Sequence, residues 1–304
     1  MSLRFATPAR PLPSGPLYPC AELASWAGHE FDLPTSDARL RAIHDGGPEP
    51  TAPLANLAGA FVAWRDWPEH MDFMLPESPA HAAKMLERQL YLDRWERWIA
   101  PGCRVLDLGG GIGRFAHWCL DRGCDVELVD PDLRSLQRAV THAIGRPGRL
   151  DVHWATGELI PEIAPVDVVI GAELLCYVED IPRVLANIRR VLKPGGVFLS
   201  SVEARWGWAL AMDVPPGTLG MLLGDGIVHV PGDRWVRTFT GESFREAISD
   251  WEILALEPSH YIWSGPFEDA AGTLDIEAVR DMERRLRENP VTAPLNRAWM
   301  AVLR

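Results

Sequence analysis

The sequence has no excess of positive charge, no long apolar run and little cysteine, and each shortage removes a class of function. Lysine and arginine total 30 against 42 aspartates and glutamates, a formal charge of −12. That balance offers no basic footprint for nucleic acid or an anionic membrane. No stretch approaches the roughly 18 consecutive apolar residues of a membrane span. The N-terminus carries Arg4, Arg10 and many prolines without an apolar run, so it does not read as a secretory signal. The five cysteines (Cys20, Cys103, Cys119, Cys124, Cys176) form no C-x-x-C pair. Cys119 and Cys124 stand five apart with no matching His/Cys pair, so no metal site is expected. Reduced thiols in a cytoplasmic protein are the simpler expectation, and there is no internal repeat. Apolar residues are plentiful: 47% of 304 residues are hydrophobic against 24% charged, enough for a large core in one main domain plus an attachment.

The most informative stretch runs from Val105 through Asp107 and Gly109-Gly110-Gly111-Ile112-Gly113 to Phe115. It reads as a short buried strand, a glycine-rich turn and the first turn of a helix. Glycine lacks a Cβ and tolerates positive φ, so such a backbone can turn sharply and lie against a ligand. A dinucleotide site uses G-x-G-x-x-G, with the helix N-terminus facing a pyrophosphate. Here the spacing is G-x-G-x-G, with Asp107 two residues ahead. A carboxylate aimed at the loop suits a cationic or amine-bearing ligand better than an anionic one. The spacing therefore favours S-adenosylmethionine, with its sulfonium and ammonium, over NAD.

Val126 to Asp130 is a second strand ending in an acid, 17 positions after Gly113. A carboxylate there can accept the hydroxyl protons of an adenosine ribose. It can also cap a helix, since Pro131 and Asp132 open one, and one acid can do both.

With these residues in place, the chain resembles the class I S-adenosylmethionine-dependent methyltransferases of the small-molecule type. Four blocks carry the resemblance: Val105 to Gly113, Val126 to Asp130, Asp167 to Val178, and Ile181 to Ser200 with its Leu192-Lys193-Pro194-Gly195-Gly196 turn. The resemblance covers roughly 86–304. It implies an α/β, Rossmann-like sheet of seven strands, the last antiparallel between the fifth and sixth, with an N-terminal extension that often closes over the cofactor.

Organisation along the chain agrees with that picture. The first 53 residues hold nine prolines, against regular structure, yet carry Trp26 and Phe31. Residues 1–84 read as a cap or lid, a structural arm being the alternative, and 85–304 as the cofactor-binding domain. Pro79 to Ile99 has helical spacing before Pro101-Gly102. Strands are expected at 105–108, 126–130, 150–154, 167–170, 197–202, 251–256 and 298–303. Helices are expected between them, notably over 133–144, 181–192, 240–248 and 275–288. Residues 203–239 look like an inserted hairpin or lid.

The resemblance also assigns residues. Glu173 and Tyr177 lie after strand four, beside the methionine arm of the cofactor. Tyr177 could lay its ring against the sulfonium or only pack a helix start; Glu173 could bind an amine or face solvent. Gly157 and Glu158 stand where relatives contact the adenine amine. Arg114, or an arginine of the cap, could meet the cofactor carboxylate. His153, His229 and His260 are candidate bases by type alone. Trp206, Trp208 and Trp263 lie where acceptor pockets are built. The leading expectation is a methyltransferase acting on a small molecule in secondary metabolism, with a homodimer possible. Two alternatives keep the cofactor: closure of its own amino acid to azetidine-2-carboxylate with release of methylthioadenosine, or binding without catalysis. Fold alone does not choose among them.

Overall fold

The computed structural model describes residues 3–5, 72–131, 133–209, 216–229, 235–261 and 273–304. After a short strand β1 (Leu3–Phe5), the elements alternate as expected: α1 (His81–Trp95), β2 (Arg104–Leu108), α2 (Arg114–Asp121), β3 (Asp125–Asp130), α3 (Leu133–Ala143), β4 (Arg149–Trp154), β5 (Val166–Gly171), α4 (Ile181–Val191) and β6 (Leu192–Glu203). Then come α5 (Arg205–Ala209), α6 (Pro216–Leu223), β7 (Ile227–His229), β8 (Trp235–Arg237), α7 (Gly241–Ala247), β9 (Ile253–Ser259), α8 (Ile276–Glu288) and β10 (Ala298–Leu303).

The main sheet has the order β1-β4-β3-β2-β5-β6-β10-β9. Its seven expected strands are present, and β10 runs antiparallel to both β6 and β9. The eighth strand is β1, which pairs in parallel with Leu150 to Val152 at the outer edge of β4. Three residues alone carry too little pattern to announce a strand; the open edge of β4 supplies the pairing partner. Most of the expected cap, residues 6–71, lies outside the described residues, as do Trp263 and Cys20.

Alternation along the strands divides the core between two faces. Val105, Val126, Leu128 and Val152 pack with α1, α2 and α3, while Leu106, Leu108, Val169 and Phe198 pack with α4 and α7. A parallel sheet covered on both faces is apolar on both. Asp107, between Leu106 and Leu108, therefore points to the α2 side. Chain connections put the turns after β2, β3, β4, β5 and β6 at one end, the end where such sheets bind ligands. The expected helix over 79–99 ends sooner, at Trp95, and tightens into a 3₁₀ turn over Glu96–Trp98. The inserted segment leaves β6 at that same end: two short helices and the antiparallel β7–β8 hairpin. A bridge between Ala204 and Phe239 closes it at its base.

Among the described residues no helix is long and apolar enough to cross a membrane, and no cluster of His, Cys, Asp and Glu could hold a metal ion.

Candidate functional site

The glycine turn is built in a left-handed backbone: Gly109, Gly111 and Gly113 have φ of 74°, 55° and 87°. The Gly109 N–H donates to the Val129 carbonyl (2.7 Å), which ties the turn to β3. Asp107 lies beneath it, 1% exposed, and its Oδ2 accepts from the Ala116 N–H (2.9 Å). Burial pushes its carboxyl up to about 7, against the pull of that N–H. The acid thus holds the first turn of α2 from below. A Cβ on Gly110 would come within 2.6 Å of its Cγ, whereas one on Gly111 would meet no atom of the described residues within 4 Å. The upper surface of the turn is open at Gly111.

Asp130 closes β3 beside this turn. Its Oδ2 accepts from the Gly111 N–H at 2.8 Å, so the acid and the open glycine are one unit. At the end of β4, Gly157 is buried, and the Asn187 amide donates to the carbonyls of Gly157 (3.2 Å) and Glu158 (2.9 Å). The Thr156 hydroxyl beside them is buried with no hydrogen-bond partner among the described residues. Glu158 accepts from the Glu179 N–H (3.2 Å), so its carboxylate is turned towards the loop after β5.

Glu173, two residues past β5, is a non-glycine residue at φ 59°. Its N–H donates to Ser201 Oγ (2.9 Å), and its Oε1 accepts from the Tyr91 hydroxyl (3.2 Å). His260, just past β9, has φ 61° and stacks on the same Tyr91, with ring centroids 4.4 Å apart. These are the two left-handed non-glycine residues among those described, and both converge on one buried tyrosine. Such backbone costs of order 1–3 kcal/mol and collects at functional sites.

Arg114, the first residue of α2, is paired with buried Glu87 of α1 and lies 5.6 Å over the Tyr91 ring. Burial would raise Glu87, but Arg114, then Lys84, outweigh it and hold the carboxyl well below the usual range. The cation offered for a cofactor carboxylate is thus engaged with an acid that sequence reasoning did not single out. A signal for Glu87 existed: it sits on the buried stripe Ala83-Glu87-Leu90-Tyr91 of an amphipathic helix.

Tyr177 follows a 3₁₀ turn after β5. Its hydroxyl donates to Glu203 Oε1 (2.6 Å), and Trp208 Nε1 donates to the other oxygen. Glu203 also escaped the sequence reading, although it ends an apolar strand as Asp130 does.

Of the other candidates, His153 is buried against Glu127 (2.7 Å), within the sheet. His260 is buried too, and burial pulls it down to about 3. His229 lies in β7. Trp206 is exposed. A cavity of about 360 Å³ between α1, α8, β9 and β10, lined by Leu90, Trp95, Arg94, Arg280 and Met300, includes no residue of the glycine turn.

A glycine turn after β2, in a sheet ordered β4-β3-β2-β5-β6-β10-β9 with Asp130 ending β3, marks a nucleoside-binding protein of the Rossmann-like class. A family model described as a methyltransferase domain matches residues 63–251, and the chain belongs to the class I S-adenosylmethionine-dependent methyltransferases. It is 33% identical over 145 residues to the ubiquinone biosynthesis O-methyltransferase of Pseudomonas aeruginosa (strain UCBPP-PA14), covering 47% of this chain and 60% of that protein. With the protein of the same description from Bradyrhizobium sp. it shares 26% over 178 residues, 55% of this chain and 64% of the relative. The chain thus spans under two thirds of these curated relatives. A methyltransferase structure from Mesorhizobium loti superposes with a TM-score of 0.52 at 20% identity, covering 72% of this chain and 99% of that one, a likeness of fold.

The family's cofactor is S-adenosylmethionine, and the residues present fit it. Among the described residues the turn is open at Gly111, Asp130 is fixed beside it, and the Thr156 hydroxyl is buried and unpartnered at the next strand end.

Proposed function

We propose that this protein transfers the methyl group of S-adenosylmethionine to a small molecule, in secondary metabolism. The observation that carries this reading is the Gly111 N–H bond to Asp130, which presents an acid beside an open glycine surface at the ligand end of the sheet. In this reading Asp130 accepts from the ribose hydroxyls, Gly157 and Glu158 face the adenine, and Glu173 meets the amine. Gly109, Gly111 and Gly113 let the backbone approach, and Asp107 supports them from below. When bound, the cofactor supplies a methyl group already activated by its sulfonium charge. The protein's contribution is then alignment and exclusion of water. Tyr177 and Trp208, half-buried side by side on Glu203, support a modest, partly apolar acceptor.

Calorimetric titration tests this. Wild type is expected to bind S-adenosylmethionine and S-adenosylhomocysteine in preference to NAD, and Asp130→Ala to weaken both at least tenfold, about 1.4 kcal/mol. Preferential binding of NAD, or an Asp130→Ala variant that binds as wild type does, overturns it. Mass spectrometry after incubation with S-adenosylmethionine alone separates the reactions: enzyme-dependent methylthioadenosine would replace methyl transfer by internal displacement.

A further inference from the structure

Tyr177, just after the 3₁₀ turn that follows β5, meets Glu203 at the carboxyl end of the adjacent parallel strand β6. The Glu203 N–H donates to Cys176 Sγ (3.0 Å), which fixes the two backbones against each other. Each carboxylate oxygen has a donor, Tyr177 on one and Trp208 Nε1 on the other, so the carboxylate is locked in orientation. Glu203 is 6% exposed, while Tyr177 is only partly buried. Tyr177 is the more exposed member of the pair.

We infer that Tyr177 and Glu203 form a proton-accepting pair for a phenolic acceptor, with Tyr177 touching the acceptor hydroxyl and Glu203 taking the proton. This rests on the methyl-transfer reading above. The acceptor O–H bond breaks, and its proton passes to the Tyr177 oxygen as the proton of Tyr177 passes to Glu203 Oε1. The pair of the O–H bond stays on the acceptor oxygen, which would take a methyl group from bound S-adenosylmethionine as the methyl–sulfur bond breaks and leaves its electron pair on sulfur. The sulfonium charge and the carboxylate charge disappear together, so the net charge is conserved. Acceptor and relay are both phenols with an ordinary pKa near 10, so the first transfer is close to even; a carboxylate is the weaker base, so the proton comes to rest on Glu203 only as methylation removes the acceptor oxygen's charge.

The charged surroundings suit the task. Burial and then the charge of Glu173 raise Glu203 above the usual carboxylate range; Tyr177, Trp208 and Arg297 pull the other way. Cys176 is buried against it, and burial followed by the Glu203 charge raises that thiol. Arg237, bonded to the Val178 carbonyl (2.8 Å), is the cation on the β8 side. A base poised nearer neutrality is the more useful one. The competing role is mechanical: Glu203 could merely anchor α5 through Trp208.

The chain has four tyrosines, so ring-labelled tyrosine resolves Tyr177 by carbon NMR, with Tyr177→Phe as assignment. The wild-type Tyr177 resonance is expected to move with pH at a midpoint above the ordinary glutamate value, and Glu203→Gln to abolish the step. Turnover is then compared on p-cresol, neutral at pH 8.5, and p-nitrophenol, already ionised there, with S-adenosylmethionine. Glu203→Gln and Tyr177→Phe should each lower kcat on p-cresol about 100-fold or more, with KM changed little, and keep p-nitrophenol within a few fold. Glu203→Asp, which retains the acid, should recover part of the loss and stands in if Glu203→Gln does not fold. A pH-independent Tyr177 resonance, equal losses on both phenols, or wild type that binds cofactor yet methylates neither phenol overturns the pair. Wild type that binds no S-adenosylmethionine overturns instead the methyl-transfer reading beneath it.

Discussion

Gly111 and Gly113 both need a left-handed backbone, yet the structure predicts that alanine harms the protein in different ways at the two positions. At Gly113 (φ 87°) an added Cβ would lie 2.8 Å from His117 Cε1. That ring is fully buried and held to the Ala139 carbonyl (2.9 Å), so it has little room to yield. The left-handed penalty is about 1–2 kcal/mol and overpacking adds about 1–3, so Gly113→Ala should cost about 2–5 kcal/mol. At Gly111 (φ 55°) only the backbone penalty applies, because no atom of the described residues lies within 4 Å. Urea unfolding of the cofactor-free protein reads the difference. At about 3 kcal/mol per molar, the midpoint should fall by roughly 1 M for Gly113→Ala and roughly 0.5 M for Gly111→Ala. Cofactor binding inverts the weighting: the methyl of Gly111→Ala enters the open side of the turn, so affinity for S-adenosylmethionine should fall at least tenfold in a protein that remains folded. Equal midpoints for the two variants would refute the packing argument. Unchanged affinity in Gly111→Ala would refute the placement of the ligand over the turn.

Three further outcomes follow from buried charge. Asp107 holds its proton more tightly folded (about 7) than unfolded (about 3.9), so its contribution to stability falls as pH rises between those values. Asp107→Asn should therefore gain on wild type from pH 4 to pH 8, by up to a few kcal/mol in chemical denaturation. Burial pulls His117 to about 4 and His260 to about 3; each contributes fully above about 6.5 and less as pH falls towards its folded value. His117→Asn should flatten the wild-type loss between pH 6.5 and 4, measured by the same unfolding series. Glu87→Gln leaves Arg114 buried without its carboxylate and should cost about 3–5 kcal/mol in urea; a loss under 1 kcal/mol would show that the pair is solvated.

The glycine turn, Asp130 and the order of strands were legible because each is a local pattern: apolar alternation, glycine spacing, an acid at a strand end. The same signal was present at Glu203, and it passed unnoticed because the inserted segment beyond it has no periodicity to frame it. Glu87 was hidden differently. On a helix, an acid inside the buried stripe announces itself only when the stripe's partner is known, and Arg114 lies 27 positions further on. The resemblance placed Tyr177 beside the cofactor's methionine arm, whereas the structure gives its hydroxyl a partner 26 residues away. The histidines were named by type, and burial decided their state: His260 became a packing neighbour of Tyr91 and not an exposed base. β1 was invisible because three residues specify a strand only when an edge is waiting for them.

By itself, the sequence determined the fold class, the seven alternating strands, the place of the glycine turn and the family to which the chain belongs. These rest on contacts a few residues apart, where backbone sterics and apolar period leave few choices. Tertiary structure alone decided which charges meet. It set Arg114 on Glu87, Tyr177 on Glu203, and the strained Glu173 and His260 on Tyr91. Those pairings join residues from separate elements, and burial sets their proton affinities, a quantity that no spacing along the chain contains.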